Sequence, residues 1–133
     1  PKSTGRDLFN GSWLDRALQQ TPHAVSPPDV QATLAEFSAH AAVDALLKHG
    51  STSRELLVCG GGAFNAHLMG RLAALLPECR VRSTAERGMP PEQVEALAFA
   101  WLAAAFVSRR PGNVPEVTGA RGPRVLGALY PAR

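Results

Sequence analysis

Three consecutive glycines, Gly60, Gly61 and Gly62, constrain this chain more than any other feature of its sequence. They follow the segment 55–59, which is apolar from Leu56 onward and predicts a buried strand, and precede an amphipathic run at about 65–76, which predicts a helix. Glycine costs backbone entropy on folding and adds no side-chain packing. At a strand-to-helix turn the free N–H groups of the helix start favour phosphate. The triplet therefore predicts nucleotide or phosphate binding, with a tight glycine-rich turn as the alternative.

The composition is that of an ordinary globular domain. The chain has 133 residues, of which 45% are apolar and 19% charged, so it is long enough for one domain with its own core. The net charge is +3, and the basic residues are scattered rather than interleaved with aromatics. This pattern suits an anionic small ligand and argues against a nucleic-acid partner. No apolar run has the length of a membrane span or the position of a signal peptide.

The order of predicted elements favours an α/β fold. Helices and strands alternate, which is typical of layered α/β structure with a parallel strand pair. Two or three strands are few for a sheet of this class, so we expect the sheet to be completed elsewhere. The predicted helices cover about 7–20, 27–49, 65–76 and 91–109, and the predicted strands 55–59, 80–84 and 125–129, with a loop at 85–90 and an irregular tail from residue 111.

The fourth helix, 91–109, begins at two prolines and is strongly apolar. Its spacing predicts one inward face. The residues expected on that face are Val94, Leu97, Ala98, Trp101, Leu102, Ala105 and Phe106.

Candidate catalytic and metal-binding residues are few. Cys59 and Cys79 lack metal-ligand spacing, and they indicate a reduced, cytoplasmic setting with Cys59 as a small buried hydrophobe. The four histidines are dispersed. Glu92 and Glu95 share a helix face, where Glu92 suits the helix dipole and Glu95, in an apolar stretch, would need a partner if partly buried. The residues alone predict neither a general base nor a metal site.

Asn65 admits two interpretations. It can cap the following helix, which is the commoner use of asparagine at such a position, or its amide can contact a ligand. The pattern Gly60-x-Gly62-x-x-Asn65 nearly matches a dinucleotide fingerprint. Its third glycine is missing and no acidic residue ends the next strand, so dinucleotide binding is a minor alternative.

Four segments of the chain resemble anhydro-N-acetylmuramic acid kinases. Residues 57–65, with Leu68 and Met69, resemble the adenosine motif of that family, and residues 95–103 resemble its late helix. Residues 1–10, followed by Trp13 and Leu14, resemble a mid-chain segment. The stretches 111–115, 117–120 and 125–131 resemble the C-terminal tail.

The resemblance implies a partial ribonuclease-H-like lobe of the actin-like, sugar-kinase and heat-shock ATPase superfamily. It also implies use of ATP and Mg²⁺ to phosphorylate O6 of anhydro-N-acetylmuramic acid while water opens the anhydro ring, in peptidoglycan recycling. In that family context 1–26 is expected to be a connecting segment between lobes, 27–110 the α/β core and 111–133 an irregular tail.

Residue roles follow from the resemblance only where motifs match. Gly60, Gly61, Gly62 and Ala63 would line the adenosine and phosphate side, and Asn65 would lie near the nucleoside. Glu95 would match the acidic residue of the late helix and reach sugar hydroxyls. The role of residues 2–5 stays open, because Lys2 and Arg6 can equally be solvated.

The family's phosphate-binding Gly-Thr-Ser-x-Asp-Gly hairpin and its water-activating aspartate do not occur in this sequence. No catalytic residue is therefore assigned, and the chain alone is expected to be inactive, because positioning and charge neutralisation dominate phosphoryl transfer. The alternative is a stand-alone, non-catalytic nucleotide-binding or interaction module. Such a module would be stabilised by dimerisation through an exposed sheet edge.

Overall fold

Two short parallel strands hold the central part of the chain together. In the computed structural model β1 (Glu55–Val58) pairs with β2 (Arg80–Ser83), with Glu55 opposite Arg80 and Val58 opposite Ser83. The structure describes residue 5 and residues 7–130, and among these no third strand joins the sheet. The predicted parallel pair is confirmed. The predictions for Lys2, Ser3, Thr4 and Arg6 lie outside the described residues.

The helices fall close to their predicted positions. Each of the two strands is preceded by a helix, and two further helices follow the sheet. The described helices are α1 (Gly11–Gln19), α2 (Pro27–His49), α3 (Ala66–Leu75), α4 (Val94–Val107) and α5 (Pro115–Thr118), with shorter 3₁₀ turns at Gly61–Phe64, Thr84–Arg87 and Pro91–Gln93.

Capping residues explain where two of these helices begin. The Ser26 hydroxyl accepts a hydrogen bond from the N–H of Asp29 at 3.4 Å, as the predicted cap of α2 requires. Asn10 Oδ1 accepts from the N–H of Trp13 at 3.0 Å. This cap starts α1 at Gly11, four residues later than the sequence predicts.

The chain divides into two compact units, of which Ala24–Glu95 contains the sheet. The core of this unit lies between α2 and α3 and consists of small and branched side chains that are at most 5% exposed. These are Ala39, Val43, Leu72 and Leu76, and Leu56, Val58 and Val81 of the strands pack against them. The opposite face of β1 is more open, since Leu57 is 39% exposed.

The other unit comprises Pro1–His23 and Ala96–Arg133. Its tail is organised by Asn113, whose Oδ1 accepts from the N–H of Arg124 at 2.6 Å and whose Nδ2 donates to the carbonyl of Gly122 at 3.2 Å. The predicted strand 125–129 is wrong: residues 123–130 form no regular element. Gly127 has φ of 117°, which regular strands do not use, and no described strand pairs with this segment.

The predicted inward face of α4 is only partly correct. Ala105 is buried and Val94, Leu102 and Phe106 are half-buried, but Leu97 and Trp101 are each about half exposed, and Ala98 is exposed. Helix α4 is apolar on every side, so residue spacing does not select one face.

A charged cluster joins α2 to α3. Glu36 on α2 accepts two hydrogen bonds from the Arg71 guanidinium on α3, at 2.7 and 2.8 Å, and His40 Nε2 lies 3.2 Å from the same carboxylate. The hydrogen bond from Arg71 is the main cause that lowers the pKa of Glu36 from its ordinary value of 4.5. Because each of these side chains is more than a third exposed, their contribution to stability is small and sensitive to salt.

Replacing Glu36 with glutamine is expected to reduce the pH dependence of this unit's stability. A lowered pKa in the folded state gives stabilisation that is present above pH 4.5 and is lost as the pH falls through the folded-state pKa. Hydrogen exchange of the α3 amides should therefore be faster in Glu36→Gln than in the parent chain at pH 7, and this difference should shrink as the pH is lowered below 4.5, after correction for intrinsic rates. A difference that does not shrink with falling pH would contradict the assignment.

Candidate nucleotide-binding turn

The chain reverses direction at Gly60, directly after β1 and Cys59. Gly60 has φ of 70° and ψ of −168°, a backbone conformation that is essentially restricted to glycine. Its N–H donates to the carbonyl of Pro91 at 2.9 Å. This bond brings the segment before α4 against the glycine turn, although Gly60 and Pro91 are 31 residues apart in sequence.

Gly61–Phe64 forms a single 3₁₀ turn before α3. The N–H of Ala63 donates to the carbonyl of Gly60 and that of Asn65 to the carbonyl of Gly62, both at 3.1 Å. Ala63 is half-buried, and no described group accepts a hydrogen bond from the N–H of Gly61. The turn is thus fixed by its own main chain, and it leaves a main-chain donor available.

The three glycines differ in how strongly the fold requires them. Gly60 is required by its backbone conformation. A Cβ on Gly62 would lie 3.4 Å from Cδ2 of Leu68, which is an ordinary contact with a flexible side chain. A Cβ on Gly61 would meet no atom within 4 Å. The fold of the described residues therefore gives no reason for glycine at position 61, which faces open space.

Asn65 acts as the N-terminal cap of α3. Its Oδ1 accepts a hydrogen bond from the N–H of Leu68 at 3.1 Å. The capping interpretation is therefore the one that the structure supports. Its Nδ2 has no partner among the described residues, so a ligand contact through that atom is compatible with the cap.

Glu95 is exposed in the first turn of α4 and makes no hydrogen bond or ion pair with the described residues. Glu95 is thus not a partly buried acid and needs no partner, because most of its apolar neighbours in sequence are themselves exposed. It follows Pro91 by four residues, so the Gly60–Pro91 hydrogen bond brings the start of its helix toward the turn.

A cleft of about 340 Å³ opens beside the turn. The Phe64 side chain forms one wall and is 68% exposed. The remaining walls come from the segment between β2 and α4, namely Ala85, Gly88, Pro90, Pro91 and Glu92. Nothing in the sequence distinguishes Phe64 from a core aromatic at the start of a helix. Its exposure emerges only from the way the turn orients it.

The described cysteines form no disulfide and belong to no metal-ligand cluster. Both cysteines are free, but Cys59 is exposed rather than buried, because it lies at the point where β1 ends and the chain turns. Among the described residues no three histidine, cysteine, aspartate or glutamate side chains come close enough to hold a metal ion. Within the same residues no helix is sufficiently long and apolar to cross a bilayer.

Comparisons with known proteins all match this chain to one family. Residues 1–132 match the sequence model of a family described as anhydro-N-acetylmuramic acid kinase. A curated protein of that name from Pseudomonas paraeruginosa is 59% identical over 133 residues, which cover 99% of this chain and 36% of the relative. Proteins of the same name from Albidiferax ferrireducens and Variovorax paradoxus are 55% and 56% identical to this chain. The matches cover 99% of this chain and 34% and 35% of the two relatives, respectively. The chain thus spans about a third of the length of these relatives.

The glycines at positions 60 and 61 should differ in their tolerance of alanine. Gly60→Ala forces a side chain into a glycine-only conformation, so we expect a loss of roughly 1–3 kcal/mol in unfolding free energy. Gly61→Ala meets no atom and needs no unusual backbone, so it should change stability by less than about 0.5 kcal/mol. Urea denaturation of both variants tests this difference, and equal destabilisation would contradict the geometry of the turn.

Proposed function

The chain belongs to the anhydro-N-acetylmuramic acid kinase family, and on that premise we propose that it is the ATP-binding, C-terminal part of such a kinase. The family match covers nearly all of the chain. The relatives are about three times as long, so the reaction belongs to the larger polypeptide. This segment contributes the surface on which the nucleotide lies.

The observation that carries the proposal is the open position at Gly61. A Cβ there would point into space that no described atom occupies within 4 Å. Glycine adds no side chain, so its main chain at this exposed position stays open to a ligand. A nucleotide lying against the main chain needs both the space and the unpaired N–H of Gly61.

In the proposed reaction the terminal phosphoryl group of ATP is transferred to O6 of anhydro-N-acetylmuramic acid, while water adds across the anhydro bridge and opens it. The products are ADP and N-acetylmuramic acid 6-phosphate, as peptidoglycan recycling requires. Gly60, Gly61, Gly62 and Ala63 bind and orient the nucleotide. The phosphate-binding hairpin and the water-activating aspartate come from the rest of the kinase, and the segment alone is inactive.

Two further parts of the proposal concern the sugar and Mg²⁺. Glu95 is exposed and unpaired among the described residues, which leaves its carboxylate available to accept hydrogen bonds from sugar hydroxyls. The described residues offer no cluster for a metal ion. We therefore assign no Mg²⁺ ligand to this chain, and in the complete kinase the ion is held by ATP phosphates and by residues outside the segment.

The proposed architecture is a partial lobe of the actin-like ATPase superfamily. Its connecting segment is 1–26, its α/β core 27–110 and its tail 111–133. The described parallel sheet has two strands, fewer than the sheets of isolated domains usually have. Such a small sheet is compatible with an incomplete lobe. Strands from the remainder of the kinase would complete it.

A second candidate function is a stand-alone nucleotide-binding or interaction module without catalysis. The specific observation in its favour is that, among the described residues, both outer edges of the β1–β2 pair lack a neighbouring strand. An unpaired edge can recruit another chain. The gene upstream of Pro1 discriminates between the candidates: an in-frame Gly-Thr-Ser-x-Asp-Gly segment supports the kinase, and a start codon near Pro1 supports the module.

Gly61→Val in the complete kinase is expected to raise the Kd for ATP at least tenfold, because the branched side chain occupies the space proposed for the nucleotide. Calorimetric titration measures the effect. Gly70→Ala is the matched control, since Gly70 is an exposed glycine of α3 whose Cβ also meets no atom within 4 Å. The control should bind ATP as the parent does, and unchanged affinity in Gly61→Val would remove the glycine turn from the site.

A further inference from the structure

We propose that the apolar groove between α4 and residues 126–129 of the tail is the surface on which the remainder of the kinase polypeptide packs. The inference rests on the proposed function, because it takes this chain to be part of a longer kinase. It concerns the assembly of the enzyme rather than nucleotide binding. It also gives a reason for the exposed apolar side chains of α4, which the glycine turn does not explain.

The groove has a volume of about 490 Å³, and both of its walls belong to the same compact unit. The α4 wall includes Phe99, Leu102, Phe106 and Val107, and residues 126–129 form the other wall. Residues three and four apart on a helix are neighbours, so the α4 residues form one continuous stripe. No lining residue has a charged or hydrogen-bonding side chain. The groove therefore suits another apolar protein surface rather than a small polar ligand.

Contacts between the tail and α4 give the groove its shape. A Cβ on Gly127 would lie 3.4 Å from Cδ2 of Phe106, so the tail runs alongside that ring. At the other end of the segment, the N–H of Gly112 donates to the carbonyl of Arg124 at 2.9 Å. A Cβ on Gly112 would lie only 2.9 Å from Cδ2 of Leu102, so glycine at this position lets the chain pass close to α4. The two walls are thus already in place before a partner binds.

The unit that contains the groove has very little core of its own. Among its described residues, Ala105 is the only buried apolar side chain. By contrast, Phe99 is 63% exposed, Val107 79% and Leu129 78%. A helix that is apolar on every side, as α4 is, normally lies in the interior of a larger protein. Burial of α4 therefore requires polypeptide beyond the described residues of this unit.

The lengths of the relatives indicate which polypeptide covers the groove. This chain matches 36%, 34% and 35% of three curated relatives, so most of each relative lies outside the matched segment. A second copy of this chain would bring only another exposed α4, and the core of each unit would stay incomplete. We therefore assign the groove to an apolar face of the remaining kinase polypeptide, whose branched or aromatic side chains would fill it.

Thiol labelling of the complete kinase tests this assignment. Val107→Cys places a small apolar thiol in the groove, and Lys48→Cys places one on the exposed surface of α2 as the control. In the folded kinase the thiol at position 107 should react with an alkylating reagent about a hundredfold more slowly than the thiol at position 48, because reaction requires local opening of a packed interface. Peptide mass spectrometry measures both rates, which should become alike in urea.

Equal labelling rates at the two positions of the folded kinase would overturn the inference. Leu129→Cys, on the tail wall, is a second reporter in case Val107→Cys does not fold, and it should be protected to a similar extent. Protection that disappears when the kinase is diluted to a monomer would assign the groove to a second copy and would also overturn the inference. Failure of the parent kinase to bind ATP would contradict the proposed function but would leave the labelling rates as they are.

Discussion

The hydrogen bond between the N–H of Gly60 and the carbonyl of Pro91 is the interaction on which the candidate site depends. Gly60 makes this bond in a conformation that other residues avoid, and that conformation directs the chain from β1 into the 3₁₀ turn. The same bond brings the segment 88–92 beside Phe64. Backbone geometry at one glycine thus creates both the open surface at Gly61 and the cleft next to it.

Two ion pairs connect the elements around the glycine turn and the cleft. Glu36 and Arg71 join α2 to α3, the helix that continues from the turn. On the sheet, Glu55 at the start of β1 accepts hydrogen bonds from Arg87 at 2.6 and 3.1 Å, and this contact is the main cause that lowers the pKa of the Glu55 carboxyl. Because Arg87 ends the 3₁₀ turn after β2, the pair connects β1 to the segment that leads into the cleft.

The sequence predicted the elements whose signals are local. The strand at 55–59, the glycine turn and the capped helix after it depend on residues next to one another, and all three are present. Predictions that depend on distant partners were less accurate. Apolar residues at 125–129 suggested a strand, but strands need a neighbour to pair with, and α4 is too uniformly apolar for its sequence to specify a buried face. For the candidate site, the triplet predicted a ligand-binding turn, but it could not show that only Gly60 is required by its backbone conformation. The position of Phe64 in the wall of a cleft could not be predicted, because the opposite wall comes from residues 88–92, far along the chain.

The central claim is that a nucleotide occupies the open face of Gly61, and it is tested most directly by a crystal structure of the complete kinase with a non-hydrolysable ATP analogue. The account predicts that the analogue lies in van der Waals contact with the Gly61 main chain. Density for the analogue at a site remote from Gly61, with the turn left vacant, would contradict it.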